Sequence, residues 1–131
     1  MLFVCEHGAA RSTIAAAYFN KIAIEKRLNF HAIFRGTTPQ DTLTAGTRRG
    51  LIKDGFDVSK MKPLGVSKED IDNAYQIITF DCELPGTFNA RISESWNGIP
   101  PISEDYSVAR NQIEKKVNEL VTQLLRPSGI K

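Results

Sequence analysis

The sequence predicts an α/β protein: a single three-layer domain in which helices cover both faces of a four-stranded parallel sheet. Short β-rich segments alternate with longer helical segments along the chain, which is the pattern of such sheets. The length of 131 residues suits one domain with one core. Hydrophobic residues make up 41% and charged residues 24%, an ordinary globular balance. We expect the domain to span residues 1–126, followed by a C-terminal tail at 127–131.

The first half of the chain contains two predicted strands and two predicted helices. Residues 2–5 are a short apolar strand, and a helix follows from Ser12 to about Leu28 with apolar residues at helical spacing. Residues 30–34 are a second β-rich run. A second helix is predicted from about Thr42 to Asp54, because Gly55 lies where a helix C-cap is expected.

The second half repeats this alternation. Ser67 is a predicted N-cap for a short helix over residues 68–73. Residues 75–80 form the third predicted strand, and a fourth is expected within residues 90–96. The clearest helical pattern of the chain runs from Ser107 to about Leu125 and forms the last predicted helix.

Charge and cysteine content exclude several classes of protein. The net charge is +2 and basic residues are scattered, so neither nucleic acid nor a membrane is an expected partner. We expect a cytoplasmic protein, since the sequence has no transmembrane-length apolar run and no signal peptide before the first strand. The two cysteines suit a reducing compartment, where a cysteine is more often catalytic than part of a disulfide framework. The pattern predicts no metal site and no cofactor.

The loop between the first strand and the first helix carries the chemical signal. It reads Cys-Glu-His-Gly-Ala-Ala-Arg-Ser over residues 5–12. A helix N-terminus attracts anions, and the small residues at 8–10 let the backbone turn its N–H groups inward. Arg11 adds a planar set of donors that binds two oxygens at once. The predicted oxyanion-binding residues are Glu6, His7, Gly8, Ala9, Ala10, Arg11 and Ser12.

Cys5 lies at the start of this loop, where the same positive field favours its thiolate form. Ser12 can donate its hydroxyl to the sulfur. A thiolate beneath a bound tetrahedral oxyanion is placed for in-line attack. The alternative is a buried cysteine at a strand end and a surface arginine at position 11, because the spacing of these two residues also arises by chance.

The strand, the Cys-x5-Arg-Ser loop and the following helix resemble the low-molecular-weight protein tyrosine phosphatases and the related thioredoxin-coupled arsenate reductases. The order of the later elements is also similar to theirs, so the resemblance covers nearly the whole chain. It implies a phosphomonoester hydrolase, specifically a protein tyrosine phosphatase, acting through a cysteinyl-phosphate on Cys5. Its substrates would be a phosphorylated protein or a small phosphomonoester. The family usually has asparagine where this sequence has Gly8.

The resemblance also implies a general acid just before the last helix. Asp105 matches that place and Glu104 is the reserve, although Tyr106 stands where the family has proline. Alternatively, both acidic residues only cap the helix. Tyr106 and Trp96 are candidate walls of a cleft for an aromatic ring, and Trp96 equally suits a role in the core.

Cys82 leaves a second function open. It lies at or one residue from the place where the similar arsenate reductases have a second redox cysteine, but residues 84–90 lack their third one. In the alternative function, arsenate reductase, Cys5 attacks arsenic. Cys82 or an external thiol, such as thioredoxin, glutathione or mycothiol, then resolves the adduct. A third interpretation is a non-catalytic phosphate-binding module, against which the intact Cys5 and Arg11 argue.

Topology predicts which distant residues share the site. Ligands of parallel sheets bind beyond the carboxyl ends of the strands. The segments at these ends are the Cys5 loop, residues 36–37, residues 81–82 and residues 96–97. We therefore expect them to meet at one edge of the sheet.

Overall fold

The structure is a computed structural model that describes residues 1–126, so the predicted tail at 127–131 lies outside the described residues. A parallel four-stranded sheet with strand order β2-β1-β3-β4 forms its centre. The strands are β1 (Leu2–Cys5), β2 (Ile33–Gly36), β3 (Ile77–Thr79) and β4 (Glu94–Ser95). The helices are α1 (Arg11–Glu25), α2 (Ala45–Lys53), α3 (Lys68–Asn73) and α4 (Tyr106–Leu125), with a 3₁₀ helix at Gly86–Arg91.

Helices cover both faces of the sheet, which confirms the predicted fold class. Side chains alternate along β1, so Phe3 and Cys5 face the larger apolar cluster while Leu2 and Val4 face the smaller one. The larger cluster contains the buried faces of α1 and α4, which pack against each other. The smaller cluster contains Ile71 of α3. Among the described residues, no helix is long and apolar enough to cross a membrane.

Several boundaries differ from the predicted ones because of tertiary contacts. The first helix ends at Glu25, and Arg27 then adopts a φ of 55° that turns the chain. The second helix begins later than predicted, at Ala45, because Thr44 serves as its N-cap and donates its backbone N–H to Ala9 of the loop. The segment before α2 therefore supports the loop rather than extending the helix.

The short helix α3 agrees with its prediction. The Ser67 hydroxyl accepts from the backbone N–H of Asp70, and the Asp70 carboxylate accepts from the backbone N–H of Ser67, which completes a capping box. Asp70 also accepts from Arg35 of β2 at 3.0 Å. This ion pair fastens α3 to the edge of the sheet beside the loop.

Candidate active site

The carboxyl ends of the strands meet at one edge of the sheet, as the topology predicts. Arg11 donates to the Asp81 carboxylate at 2.8 Å, and Asp81 follows directly after the end of β3 and Phe80. The backbone N–H of Asp81 donates to the side chain of Asn97, just beyond β4, at 2.8 Å. Three segments far apart in sequence thus surround the loop that follows β1.

The carbonyl groups of the loop are bonded to the surrounding framework. Four of these carbonyls accept from backbone N–H groups in the segment that follows β2: Cys5 from Thr37, Glu6 from Thr38, His7 from Gln40 and Ala9 from Thr44. Two more accept from α1: Gly8 from the Thr13 hydroxyl and Ala10 from the Ile14 N–H. By contrast, no acceptor within residues 1–126 takes the backbone N–H groups of residues 6–12. Such a run of unpaired N–H groups is the feature from which anion-binding nests are built, so we call this loop the anion nest.

Two glycines allow this loop to lie against the end of β2. Gly8 has a φ of 61°, and a Cβ there would lie 2.8 Å from the backbone nitrogen of Gly36. A Cβ on Gly36 would in turn lie 2.7 Å from the nitrogen of Gly8. The backbones at Gly8 and Gly36 therefore lie too close together for a side chain at either position. The Thr13 hydroxyl also supports the loop, because it donates to the Gly8 carbonyl at 3.2 Å.

The Cys5 sulfur lies beneath this loop. It is 3.0 Å from the hydroxyl of Ser12, and Cys5 is 4% exposed. The loop opens directly into α1, whose first turn contains no acidic residue. The positive end of that helix therefore acts on the sulfur without a neighbouring carboxylate from the same turn.

Arg11 is held at the mouth of the loop by one carboxylate and one carbonyl. Besides Asp81, it contacts the backbone oxygen of Ile99 at 3.3 Å. Asp81 is itself fixed, because it has a φ of 50° and accepts from the N–H of Gly98. The topology predicted that residues 81–82 reach this edge of the sheet, but the pairing of Asp81 with Arg11 was not predicted.

His7 and Glu6 lie on the outside of the loop. The His7 ring contacts the Glu6 carboxylate at 3.1 Å and the carbonyl oxygen of Thr38 at 3.2 Å. Both side chains are exposed. The backbone N–H groups of these two residues, rather than their side chains, belong to the anion nest.

A cleft of about 520 Å³ opens beside the loop. Its lining residues are His7, Ala10, Arg11, Thr44, Ala45, Gly46, Arg49, Pro101, Ile102 and Ser103. The two aromatic residues considered as cleft walls lie elsewhere. Trp96 is 3% exposed and packs in the core against Phe3 and Phe80, and the Tyr106 hydroxyl donates to Asp54 at 2.8 Å.

Asp105 is the N-cap of α4, since its carboxylate accepts from the backbone N–H of Val108 at 3.3 Å. It is exposed and follows the cleft-lining residue Ser103 by two positions. Glu104 lies between them and is also exposed. Asp105 thus caps the helix, as the alternative prediction had it. The cap uses one carboxylate oxygen, so the other is available to carry a proton.

Cys82 lies on the opposite face of the sheet from Cys5. It packs against the cluster that contains Leu2 and Val4, and its thiol donates to the Val4 carbonyl at 3.5 Å. Burial raises the pKa of Cys82 to about 11, so the group is a thiol at neutral pH. The two cysteines are not joined by a disulfide.

Among residues 1–126, no group of three His, Cys, Asp or Glu side chains could hold a metal ion.

Comparison with known structures relates this fold to two kinds of enzyme. An arsenate reductase from Archaeoglobus fulgidus is 29% identical, with a TM-score of 0.76 over 92% of this chain and 98% of that one. A low-molecular-weight phosphotyrosine phosphatase from Vibrio cholerae O395 is 19% identical, with a TM-score of 0.80 over 98% and 97%. YfkJ from Bacillus subtilis is 22% identical, with a TM-score of 0.80 over 94% and 92%.

No protein-family model matches the sequence, and no curated protein does. The structural neighbours are low-molecular-weight protein tyrosine phosphatases and arsenate reductases, which are the proteins that the sequence resembles. Both groups share the fold of this chain.

Proposed function

We propose that this protein is a phosphomonoester hydrolase that acts through a cysteinyl-phosphate intermediate on Cys5. The observation that carries the proposal is the Cys5 sulfur, 3.0 Å from the Ser12 hydroxyl, beneath a loop whose N–H groups have no acceptor among the described residues. A phosphate group in that nest would receive several N–H donors and the Arg11 guanidinium. This arrangement supplies the positioning and electrostatic stabilisation that phosphoryl transfer requires.

The proposed reaction has two steps. The Cys5 thiolate attacks phosphorus, and the bond from phosphorus to the ester oxygen breaks as the sulfur–phosphorus bond forms. Asp105 gives a proton to the departing oxygen. In the second step Asp105 accepts a proton from water, which attacks phosphorus and releases phosphate and the Cys5 thiolate. The loop N–H groups and Arg11 bind the equatorial oxygens throughout.

Protein tyrosine phosphatase activity is the finer form of the proposal. Its support is the likeness to a structure described as a low-molecular-weight phosphotyrosine phosphatase. A phosphorylated protein or a small phosphomonoester would be the substrate. The cleft beside the loop is of the size that binds small molecules, and an ester held there places its phosphate against Arg11.

Arsenate reductase is the second candidate, because a structure described as an arsenate reductase is 29% identical to this chain. Cys5 would attack arsenic in the same nest. Cys82 faces the other side of the sheet, so its attack on a Cys5 adduct would require the segment after β3 to move. An external thiol, such as thioredoxin, glutathione or mycothiol, would avoid that movement.

Two activities measured on three proteins test the proposal. Aryl-phosphate hydrolysis and thiol-dependent arsenate reduction are assayed for the wild type, Cys5→Ser and Cys82→Ser. We expect hydrolysis that is abolished in Cys5→Ser and retained in Cys82→Ser, because only Cys5 lies in the anion nest. Serine at position 82 keeps a donor for the Val4 carbonyl, which makes it a matched control.

Arsenate reduction that disappears in both variants, without aryl-phosphate hydrolysis in the wild type, would replace the phosphatase by the reductase. Neither activity at any pH, with phosphate still bound, would indicate a binding module.

A further inference from the structure

The cleft beside the loop contains a second arginine that the proposed reaction does not use. Arg49 of α2 lines the same cleft as Arg11, and its side chain is exposed. Arg48, the preceding residue, is equally exposed but does not line the cleft. The cleft therefore presents one guanidinium at the loop and another along its wall.

The two guanidinium groups of the cleft differ in how their charge is balanced. The Arg11 guanidinium is paired with the Asp81 carboxylate at 2.8 Å. For Arg49, no carboxylate oxygen of residues 1–126 lies within 4.0 Å. The charge of Arg49 is therefore not balanced by a carboxylate within residues 1–126.

The start of α2 adds to the same positive potential. Ala45 and Gly46, its first two residues, line the cleft, and the first turn of the helix contains no acidic residue. The remaining wall is small or aliphatic, formed by residues such as Pro101 and Ile102. Apart from the His7 ring, the lining among residues 1–126 contains no aromatic side chain, so charge is the feature of this wall by which ligands can be discriminated.

We propose that Arg49 forms a second anion subsite, which selects small phosphomonoesters whose leaving group carries a carboxylate or a second phosphate. This inference rests on the proposed function, because it assumes that the ester phosphate occupies the loop at Arg11. With the phosphate there, the leaving group extends into the cleft that Arg49 lines. A carboxylate or phosphate on it would gain a charge-assisted hydrogen bond from the guanidinium.

Two isosteric esters test the subsite: 3-carboxyphenyl phosphate and its neutral analogue 3-carbamoylphenyl phosphate. The measured quantity is the ratio of their kcat/KM values. We expect the charged ester to be preferred by the wild type, and Arg49→Gln to lower the ratio about fivefold, the size of an exposed ion pair. Arg48→Gln removes the same charge from the same helix outside the cleft and leaves the ratio at the wild-type value. Added salt lowers the wild-type ratio.

Binding provides a second measurement that does not depend on turnover. Calorimetric Kd values for both esters are determined in a Cys5→Ser background, with Arg49→Gln or Arg48→Gln added. We expect only Arg49→Gln to remove the preference for the charged ester. An equal loss in both arginine variants, or an unchanged ratio in Arg49→Gln, would overturn the subsite. Failure to hydrolyse either ester would instead overturn the proposed hydrolase, with the subsite still judged by binding.

Discussion

Two charged side chains of the candidate site, Arg11 and Asp105, are held by partners of different kinds. The Arg11 guanidinium has the carboxylate of Asp81, and the carboxylate of Asp105 has a backbone N–H of α4. Arg11 is therefore already placed at the mouth of the loop before an anion arrives, which lowers the entropy cost of binding. Asp105 has a structural role that must be separated from its proposed role as a proton donor.

Asparagine separates these two roles of Asp105. It caps helices as well as aspartate does, so Asp105→Asn should leave the free energy of unfolding within about 0.5 kcal/mol of the wild type. It has no proton to give, so hydrolysis of phenyl phosphate should fall by about 10²–10⁴-fold. Hydrolysis of 4-nitrophenyl phosphate should fall much less, because that phenolate departs readily without a proton. The measurements are kcat for both esters and a urea unfolding curve.

Glu104→Gln is the matched control for this experiment, since Glu104 is the adjacent exposed carboxylate. The opposite result would be loss of phenyl phosphate hydrolysis in Glu104→Gln and its retention in Asp105→Asn. It would show that Glu104, and not Asp105, is the proton donor. Full activity in both variants would leave Asp105 with its capping role alone.

The sequence could predict the residues of the loop because they are contiguous and their chemistry is local. Cys5, Arg11 and Ser12 follow a strand and open a helix, and the structure brings the Cys5 sulfur and the Ser12 hydroxyl together. Topology places residue 81 at this edge of the sheet, but neither its pairing with Arg11 nor the place of Arg49 could be predicted. Both depend on how the segment after β3 and the wall of α2 lie against the loop, which spacing along the chain does not encode.

Three helices are joined by one carboxylate. Asp54, which ends α2, accepts from the hydroxyl of Tyr18 in α1 at 2.7 Å and from that of Tyr106 in α4 at 2.8 Å. The Tyr106 ring lies directly over Gly50, where any Cβ would collide with it. This contact explains why Tyr106 is not in the cleft: its ring fills the gap between α2 and α4.

The tyrosines of this cluster make the stability of the protein sensitive to alkaline pH. Burial, followed by the hydrogen bond to Asp54, raises the pKa of Tyr18 to about 12 and also raises the pKa of Tyr106. In the unfolded chain these groups lose their protons near pH 10. Unfolding therefore releases protons from these tyrosines above that pH, so their contribution to the free energy of unfolding should be constant from neutral pH to about 10 and then fall.

Urea unfolding at a series of pH values measures this fall. Tyr18→Phe should make the decline above pH about 10 shallower, because it removes a group that releases its proton on unfolding. Tyr75→Phe is the control, since Tyr75 is 66% exposed and lies outside the cluster. A decline of the same slope in Tyr18→Phe and the wild type would contradict the assignment.

At the level of elements, the sequence predicted the kinds of element more reliably than their bounds. The fourth strand is only Glu94–Ser95, because the 3₁₀ helix at Gly86–Arg91 takes up the start of the predicted segment. Helix α2 starts at Ala45 because Thr44 is held by the loop. The second difference arises from a contact between distant segments, which helix propensity and hydrophobic periodicity do not report.

The whole molecule places its two cysteines in opposite environments. Cys5 lies under the anion nest at the start of α1, whereas Cys82 lies across the sheet as a protonated thiol bonded to Val4. Phe80, just after β3, still packs in the cluster of Cys5, but Asp81 then adopts a φ of 50°, and Cys82 packs in the cluster on the other face. Cys82 can therefore serve as an internal control for the proposed reactivity of Cys5.

Alkylation by iodoacetamide tests most directly whether the loop is an oxyanion site above a reactive Cys5. The rate of reaction of each cysteine is measured at neutral pH by peptide mapping, with and without inorganic phosphate. We expect Cys5 to react faster than Cys82, because Cys5 lies at the start of α1 beneath the loop, whereas burial raises the pKa of Cys82 to about 11. Phosphate should slow the reaction of Cys5 alone, since it fills the nest above that sulfur. Faster alkylation of Cys82, or a Cys5 rate that phosphate leaves unchanged, would contradict the assignment of the loop as an oxyanion site with a thiolate nucleophile.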